Sequence, residues 1–242
     1  MTPEQSWDDH AQWWLDGFTD GVDPEYVEQI IPLAESEMQG FQNIIDVGCG
    51  DGQISRALAA QGSTVLGIDP TQLHISIANQ RGGGPKYLLG SATALPVDDL
   101  SQDGVVACLV FEHIDDLEPA IAEVARVLKP GGRFSFFLNH PLLQTPGSGW
   151  FDDHIIDPPE QYWRLGAYLV ETDSLEEVES GVFIRFIHRP LSRYLNALTD
   201  AGLILDRMIE PAPPEGFLAK APEYALASTI PRLLYLRLHK AL

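Results

Sequence analysis

The chain has 242 residues, 45% of them hydrophobic, which is enough apolar material for a core of ordinary size. Fifteen Lys and Arg stand against 35 Asp and Glu, a net charge of −20, and that field repels phosphate backbones and anionic lipid. Nucleic acid and membrane surfaces are therefore not expected as partners, and Cys49 and Cys108, with no ligand neighbours at metal-binding spacing, imply neither a disulfide framework nor a metal site.

The acidic start, MTPEQSWDDHAQWWLDG, lacks the basic and apolar regions of a signal peptide, and no apolar run approaches the ~18 residues of a membrane span. A soluble, cytoplasmic protein is predicted. Residues 5–18 read as a short helix rich in Trp, and 24–38 as a second, entered near Pro24 and interrupted at Pro32. From residue 43 the pattern becomes strongly periodic. NIIDVG is a short strand, QISRALAAQ a helix stopped by Gly62, TVLGID a strand, PTQLHISIANQ a helix, and KYLLG a third strand. DGVVACLVF is apolar enough for a central strand buried on both faces, LEPAIAEVARVL is a helix, and RFSFFLN follows as a strand after KPGG. This alternation over 43–139 predicts an α/β fold, a parallel sheet with helices on both faces.

Beyond residue 140 the rhythm breaks. The Pro, Gly and aromatic-rich stretch 140–163 is predicted as a long loop, AYLVETD and GVFIRFIHR as two antiparallel strands, and SLEEVES as a solvated acidic connection between them. A helix over 191–202, a strand over 203–210 and a last strand over 232–240 complete the chain.

The chemistry concentrates in DVGCGDG. Gly48, Gly50 and Gly52 allow the backbone to approach a ligand closely, but the third glycine comes one residue early for a dinucleotide loop of the form G-x-G-x-x-G. Asp46 and Asp51 flank the loop, and two carboxylates would repel a pyrophosphate. Asp69 lies at the end of the second strand, where an acid can accept ribose hydroxyls. An NAD(P)-dependent oxidoreductase is thus disfavoured, and a ligand that combines a nucleoside with positive charge is suited.

DVGCGDG, GID and RVLKPGG, in this order over 43–139, resemble the class I S-adenosylmethionine-dependent methyltransferases, specifically the type 11 methyltransferase domain. The resemblance implies a Rossmann-like, seven-stranded, mostly parallel sheet with an antiparallel last strand. It also implies S-adenosyl-L-methionine as cofactor and a small-molecule methyl acceptor. One domain over 1–242 is expected, with a helical cover (1–40), a cofactor-binding core (43–139), a substrate-side insert (141–187) and C-terminal elements (188–242); the assembly is a monomer or homodimer. The implied cofactor residues are Asp46, Gly48, Cys49, Gly50, Gln53, Asp69, Pro70, Ser91, Ala92, Leu109 and Trp13. Ser91 stands in GSATALP where the family often has an Asp. On the substrate side Trp7, Asn139, Trp150, Trp163 and Tyr168 are expected. His113 and His140, after the fourth and fifth strands, are the candidate catalytic groups, because imidazole can take a proton near neutral pH. A protein that keeps the fold without catalysis is the remaining alternative.

Overall fold

The computed structural model describes residues 3–220 and 226–242; the rest of the expected 1–242 span lies outside the described residues. Helix α1 (Pro3–Phe18) comes first, then a π-helical turn over Tyr26–Ile30 that continues into α2 (Ile31–Glu37). Pro32 has no amide proton for the preceding turn, and the chain widens just ahead of it instead of forming one even helix over 24–38.

The expected alternation follows: β1 (Asn43–Val47), α3 (Gln53–Ala60), β2 (Thr64–Asp69), α4 (Gln72–Arg81), β3 (Lys86–Leu89), β4 (Gln102–Cys108), α5 (Leu117–Val127) and β5 (Leu128–Asn139). Two hairpins stand apart from the main sheet, β6 (Gly149–Asp153) with β7 (Glu160–Arg164), and β8 (Thr172–Glu179) with β9 (Val182–His188). The chain ends with α6 (Leu191–Asp200), β10 (Leu203–Ile209), α7 (Glu215–Lys220) and β11 (Leu233–Lys240). The main sheet has seven strands in the order β10-β11-β5-β4-β1-β2-β3. β1 to β5 pair in parallel, whereas β11 is antiparallel to both β5 and β10. This is the Rossmann-like α/β class predicted.

Strand alternation explains why helices cover both faces. Ile45, Val47, Val105, Ala107, Phe134, Phe136 and Leu138 point to one side and bury against α5 and α6. Their neighbours Ile44, Val106, Cys108 and Phe137 point to the other and bury against Tyr26, Ile30, Met38 and α3. With both faces covered, the carboxyl ends of β1, β2 and β4 form the rim where a ligand can reach the sheet.

Three expectations are corrected. The fourth strand ends at Cys108 rather than at Phe111, because Leu109 takes a left-handed backbone (φ 55°) and Phe111–His113 turn as a 3₁₀ helix. The stretch read as a long loop contains the β6–β7 hairpin. The acidic SLEEVES is strand rather than connection: β8, which takes only Thr172 and Asp173 from AYLVETD, pairs antiparallel with β9 around Ser180 and Gly181, with a register shift between Glu177 and Glu179.

Candidate functional site

The carboxyl ends of β1, β2 and β4 open into a cavity of about 430 Å³, within the range of small-molecule sites. Its floor is the turn after β1. Gly48 has φ 71°, its N–H donates to the Ile68 carbonyl at 2.7 Å, and a Cβ there would lie 2.3 Å from Val110 Cγ2. Gly50 has φ 53° and donates its N–H to Asp69 Oδ2 at 2.9 Å. A Cβ on Gly50 would meet nothing nearer than Trp14 Nε1 at 3.7 Å, so a side chain would take up ligand space. Leu109, a non-glycine residue held left-handed, forms the wall beside it, a strained conformation of the kind that clusters at ligand sites.

The acids of the loop divide into two roles. Asp46 is 1% exposed and accepts the Ser55 hydroxyl at 2.6 Å. Burial pushes its carboxyl up to about 7; the Ser55 bond opposes the rise and the charge of Asp69 adds to it. A cation in the cavity would reverse that shift. Asp51, grouped with Asp46 in the sequence reading as an attraction for a cation, is instead held by Arg56 at 3.0 Å and by Arg81. Its charge is neutralised inside the protein. Arg81 also bonds Asp20 at 2.6 Å, so this network anchors the end of α1. Asp69 accepts N–H groups from Gly50 and from Thr71 (2.8 Å), which orients both carboxylate oxygens at the cavity edge.

The opposite wall comes from α1 and from the turn after β4. Trp7, Ala11, Trp14 and Phe18 recur at three- and four-residue spacing on one face. Trp7 lies edge-on to Trp14 at 5.7 Å and to His113 at 5.0 Å; Trp14 stacks on Phe18 at 4.5 Å. His113 lines the cavity, and its Nδ1–H donates to the Arg185 carbonyl at 2.8 Å, which leaves Nε2 as an acceptor. Burial lowers its pKa to about 4, with the Arg185 bond working the other way. His113 is therefore neutral at physiological pH and a weak base.

Of the predicted cofactor residues, Asp46, Gly48, Cys49, Gly50, Gln53, Asp69, Pro70, Ser91, Ala92 and Leu109 all lie on this cavity wall. Trp13 does not. It sits about 100° around the helix from Trp14 and donates its indole N–H to Glu179 at 2.7 Å, tying α1 to the β8–β9 hairpin. Among the substrate-side candidates only Trp7 reaches the wall. Asn139 is occupied in holding Glu112 at 2.8 Å; Trp150 and Trp163 pack edge-to-face on each other within the β6–β7 hairpin; Tyr168 accepts the Leu191 N–H at 2.9 Å. His140 is likewise displaced from the cavity: its Nε2–H donates to Glu210 at 2.7 Å and its Nδ1 accepts the Leu142 N–H at 3.1 Å. With both nitrogens engaged it is a turn-holding residue. Several wall residues were not among the predicted site residues, including Trp14, Tyr26, Thr71, His74, Asp115 and Asp116. Helical spacing from Trp7 carried the signal for Trp14, whereas His74 has no motif around it. Among the described residues no cluster of His, Cys, Asp or Glu could hold a metal, and no helix is long and apolar enough to cross a membrane.

A doubly wound sheet with a glycine turn after its first strand, an acid ending its second and, among the described residues, no Lys or Arg on the cavity wall fits a nucleoside-binding protein of the S-adenosylmethionine type. Residues 45–136 match the family described as a methyltransferase domain, and this stretch resembles the class I S-adenosylmethionine-dependent methyltransferases. Over 110 residues it is 34% identical to malonyl-[acyl-carrier protein] O-methyltransferase of Serratia marcescens, covering 45% of this chain and 43% of that protein. A ubiquinone biosynthesis O-methyltransferase of Pseudomonas fluorescens is 36% identical over 100 residues, 39% of this chain and 43% of its own. The chain thus spans less than half the length of these curated relatives. An S-adenosylmethionine-dependent methyltransferase from Mesorhizobium loti superposes with a TM-score of 0.74 at 26% identity, over 86% of this chain and 96% of the other. The family's cofactor is S-adenosylmethionine. The residues fit it: Gly50 leaves room for a ligand against the backbone, buried Asp46 lacks a cationic partner, and Asp69 stands at the edge as a ready acceptor.

Proposed function

We propose that the chain transfers a methyl group from S-adenosylmethionine to a small acceptor without net negative charge. The observation that carries this reading is the composition of the cavity wall. Among the described residues it holds five aspartates, Asp46, Asp51, Asp69, Asp115 and Asp116, and no Lys or Arg. Arg56 and Arg81 neutralise Asp51, and Arg185 neutralises Asp115 at 2.5 Å, so the remaining negative charge faces the cofactor's cation and disfavours an anionic acceptor. Trp7 and Trp14 supply flat apolar surface for such a molecule.

When bound, the cofactor supplies a sulfonium-activated methyl group for in-line displacement. Asp46 would hold the ammonium end and Asp69 the ribose, with Leu109 on the wall beside them; the transfer itself needs acceptor and methyl held in line. His113 takes a hydrogen bond at Nε2 from the acceptor's O–H or N–H and turns its lone pair toward the methyl; with so low a pKa it does not keep the proton, which leaves to solvent. That two of the curated relatives are named O-methyltransferases favours an oxygen acceptor.

The test has two arms. Calorimetric titration should show S-adenosylhomocysteine binding and no binding of NAD, and incubation of small-molecule extracts with labelled S-adenosylmethionine should label a product. Tight NAD binding without S-adenosylhomocysteine binding would overturn the reading.

A further inference from the structure

The second strand of the first outlying hairpin, β7, reads EQYWR. Side chains alternate along a strand, so Glu160, Tyr162 and Arg164 share one face, with the acid at one end, the ring in the middle and the base at the other. That face is the exposed one, whereas Gln161 and Trp163 are partly buried. On β6, Asp153 stands opposite Glu160, Phe151 opposite Tyr162 and Gly149 opposite Arg164. The Phe151 and Tyr162 rings stack at 6.3 Å and remain 39% and 46% exposed.

The hairpin is incomplete in its backbone and in its charges. Two strands alone are marginally stable in water, and β6–β7 has no third strand. Among the described residues the backbone of Glu160, Tyr162 and Arg164 bonds to no segment other than β6. Asp153 and Glu160 are like charges set directly opposite each other, an unfavourable cross-strand pair. Among the described residues neither carboxylate has a cation within ion-pair distance, and Arg164 has no carboxylate. The Arg164 guanidinium lies over Phe151 at 4.4 Å and gives an N–H to the Gly147 carbonyl at 3.1 Å, which leaves donors for a carboxylate.

We propose that β7 pairs edge to edge with β7 of a second copy of this chain, antiparallel, with Tyr162 on the two-fold axis. In that register Glu160 faces the partner's Arg164 and Arg164 faces the partner's Glu160, so one symmetric contact makes two ion pairs. The strand order becomes β6-β7-β7-β6, a four-stranded sheet with a row of aromatic rings across its exposed face. The partner's Arg164 also brings a positive charge into the row that holds Asp153 and Glu160. The other described edge strands lack this complementarity. β6 and β8 have acids but no base, β3 and β9 have a base but no acid, and β10 is interrupted by a bulge between Leu205 and Arg207. The hairpin lies outside residues 45–136, so the inference stands apart from the cofactor reading.

Sedimentation velocity of the full chain over about 1–200 μM tests the pairing. The buffer holds about 0.15 M salt, where a Debye length of about 8 Å screens the general repulsion between two copies of charge −20. Wild type should pass from monomer to dimer over this range, because so short an edge supports a reversible association. Glu160→Arg leaves two bases on the edge and Arg164→Glu leaves two acids, so each variant alone should dimerise at least about tenfold more weakly. An equimolar mixture of the two variants again sets every base against an acid and should recover the dimer to within about threefold of wild type. Should Arg164→Glu unsettle the hairpin by losing its bond to Gly147, Tyr162→Lys tests the register independently. It sets two like charges against each other on the axis, leaves Glu160 and Arg164 in place, and should weaken the dimer by a similar factor. Wild type that stays monomeric throughout, or variants that dimerise as wild type does, would overturn the proposal. So would a mixture no better than its components when circular dichroism shows both to be folded.

Discussion

Replacing Asp46 by Asn removes an ionisable group from the cavity floor while keeping its shape. In the ligand-free protein burial raises the Asp46 pKa from 3.8 to about 7. At about 1.4 kcal/mol per unit, the ionised carboxylate costs the fold roughly 4 kcal/mol above pH 7. The sign follows from the direction of the shift. A raised carboxyl pKa contributes stability that is fully present below about pH 4 and is lost as the pH climbs through about 7. Glu112, buried and also raised to about 7, titrates over the same range, so the informative quantity is the difference between wild type and variant. In urea denaturation, that difference should move in favour of Asp46→Asn by roughly 2–3 kcal/mol between pH 5 and pH 8. Ligand binding should show the converse. The ammonium of S-adenosylhomocysteine pulls the Asp46 pKa down, so wild-type affinity rises from pH 5 to pH 7 and binding below pH 7 releases protons. Calorimetry in two buffers of different ionisation enthalpy counts those protons, and Asp46→Asn should bind more weakly and release fewer. Identical pH dependence of stability in the two proteins, together with no proton release by the wild type, would refute the reasoning.

Other changes test the rest of the site. Gly48→Ala places a Cβ 2.3 Å from Val110 Cγ2 at φ 71° and should cost at least ~2 kcal/mol in denaturant unfolding; adding Val110→Ala relieves the clash but not the backbone strain, so rescue should be partial. Arg81→Ala takes one of two guanidinium groups from buried Asp51 and releases Asp20 at the end of α1, with an expected loss of about 2 kcal/mol because Arg56 remains; an unchanged melting temperature would contradict the network. His113→Asn should reduce the rate of methyl transfer about tenfold without changing the shape of its pH profile between pH 5.5 and 8.5, because a group of pKa about 4 does not titrate there. A limb near pH 6.5 that vanishes in the variant would return His113 to the role of general base.

The fold class was legible in the sequence because each of its elements is a local pattern. Apolar runs such as VVAC mark strands buried on both faces, and the apolar spacing in LEPAIAEVARVL marks a helix packed on one side. The glycine turn was legible for the same reason: positive φ at Gly48 and Gly50 is a property of those residues and their neighbours. The β8 strand was misread because its acidic residues look solvated in the sequence, and the partners that hold them, β9 in the ladder and Trp13 on Glu179, are supplied by the fold.

The cavity shows the boundary most clearly. The sequence by itself determined that a backbone loop would approach a nucleoside-like ligand between β1 and α3, with an acid at the end of β2. Whether a charged or polar side chain serves that ligand was decided by partners far along the chain. Asp51 is withdrawn from the ligand by Arg81, 30 residues away, and His140 by Glu210, 70 residues away. Backbone geometry is set within a few residues. The availability of a charge or a lone pair depends on everything packed within hydrogen-bond reach, and only the tertiary structure supplies that.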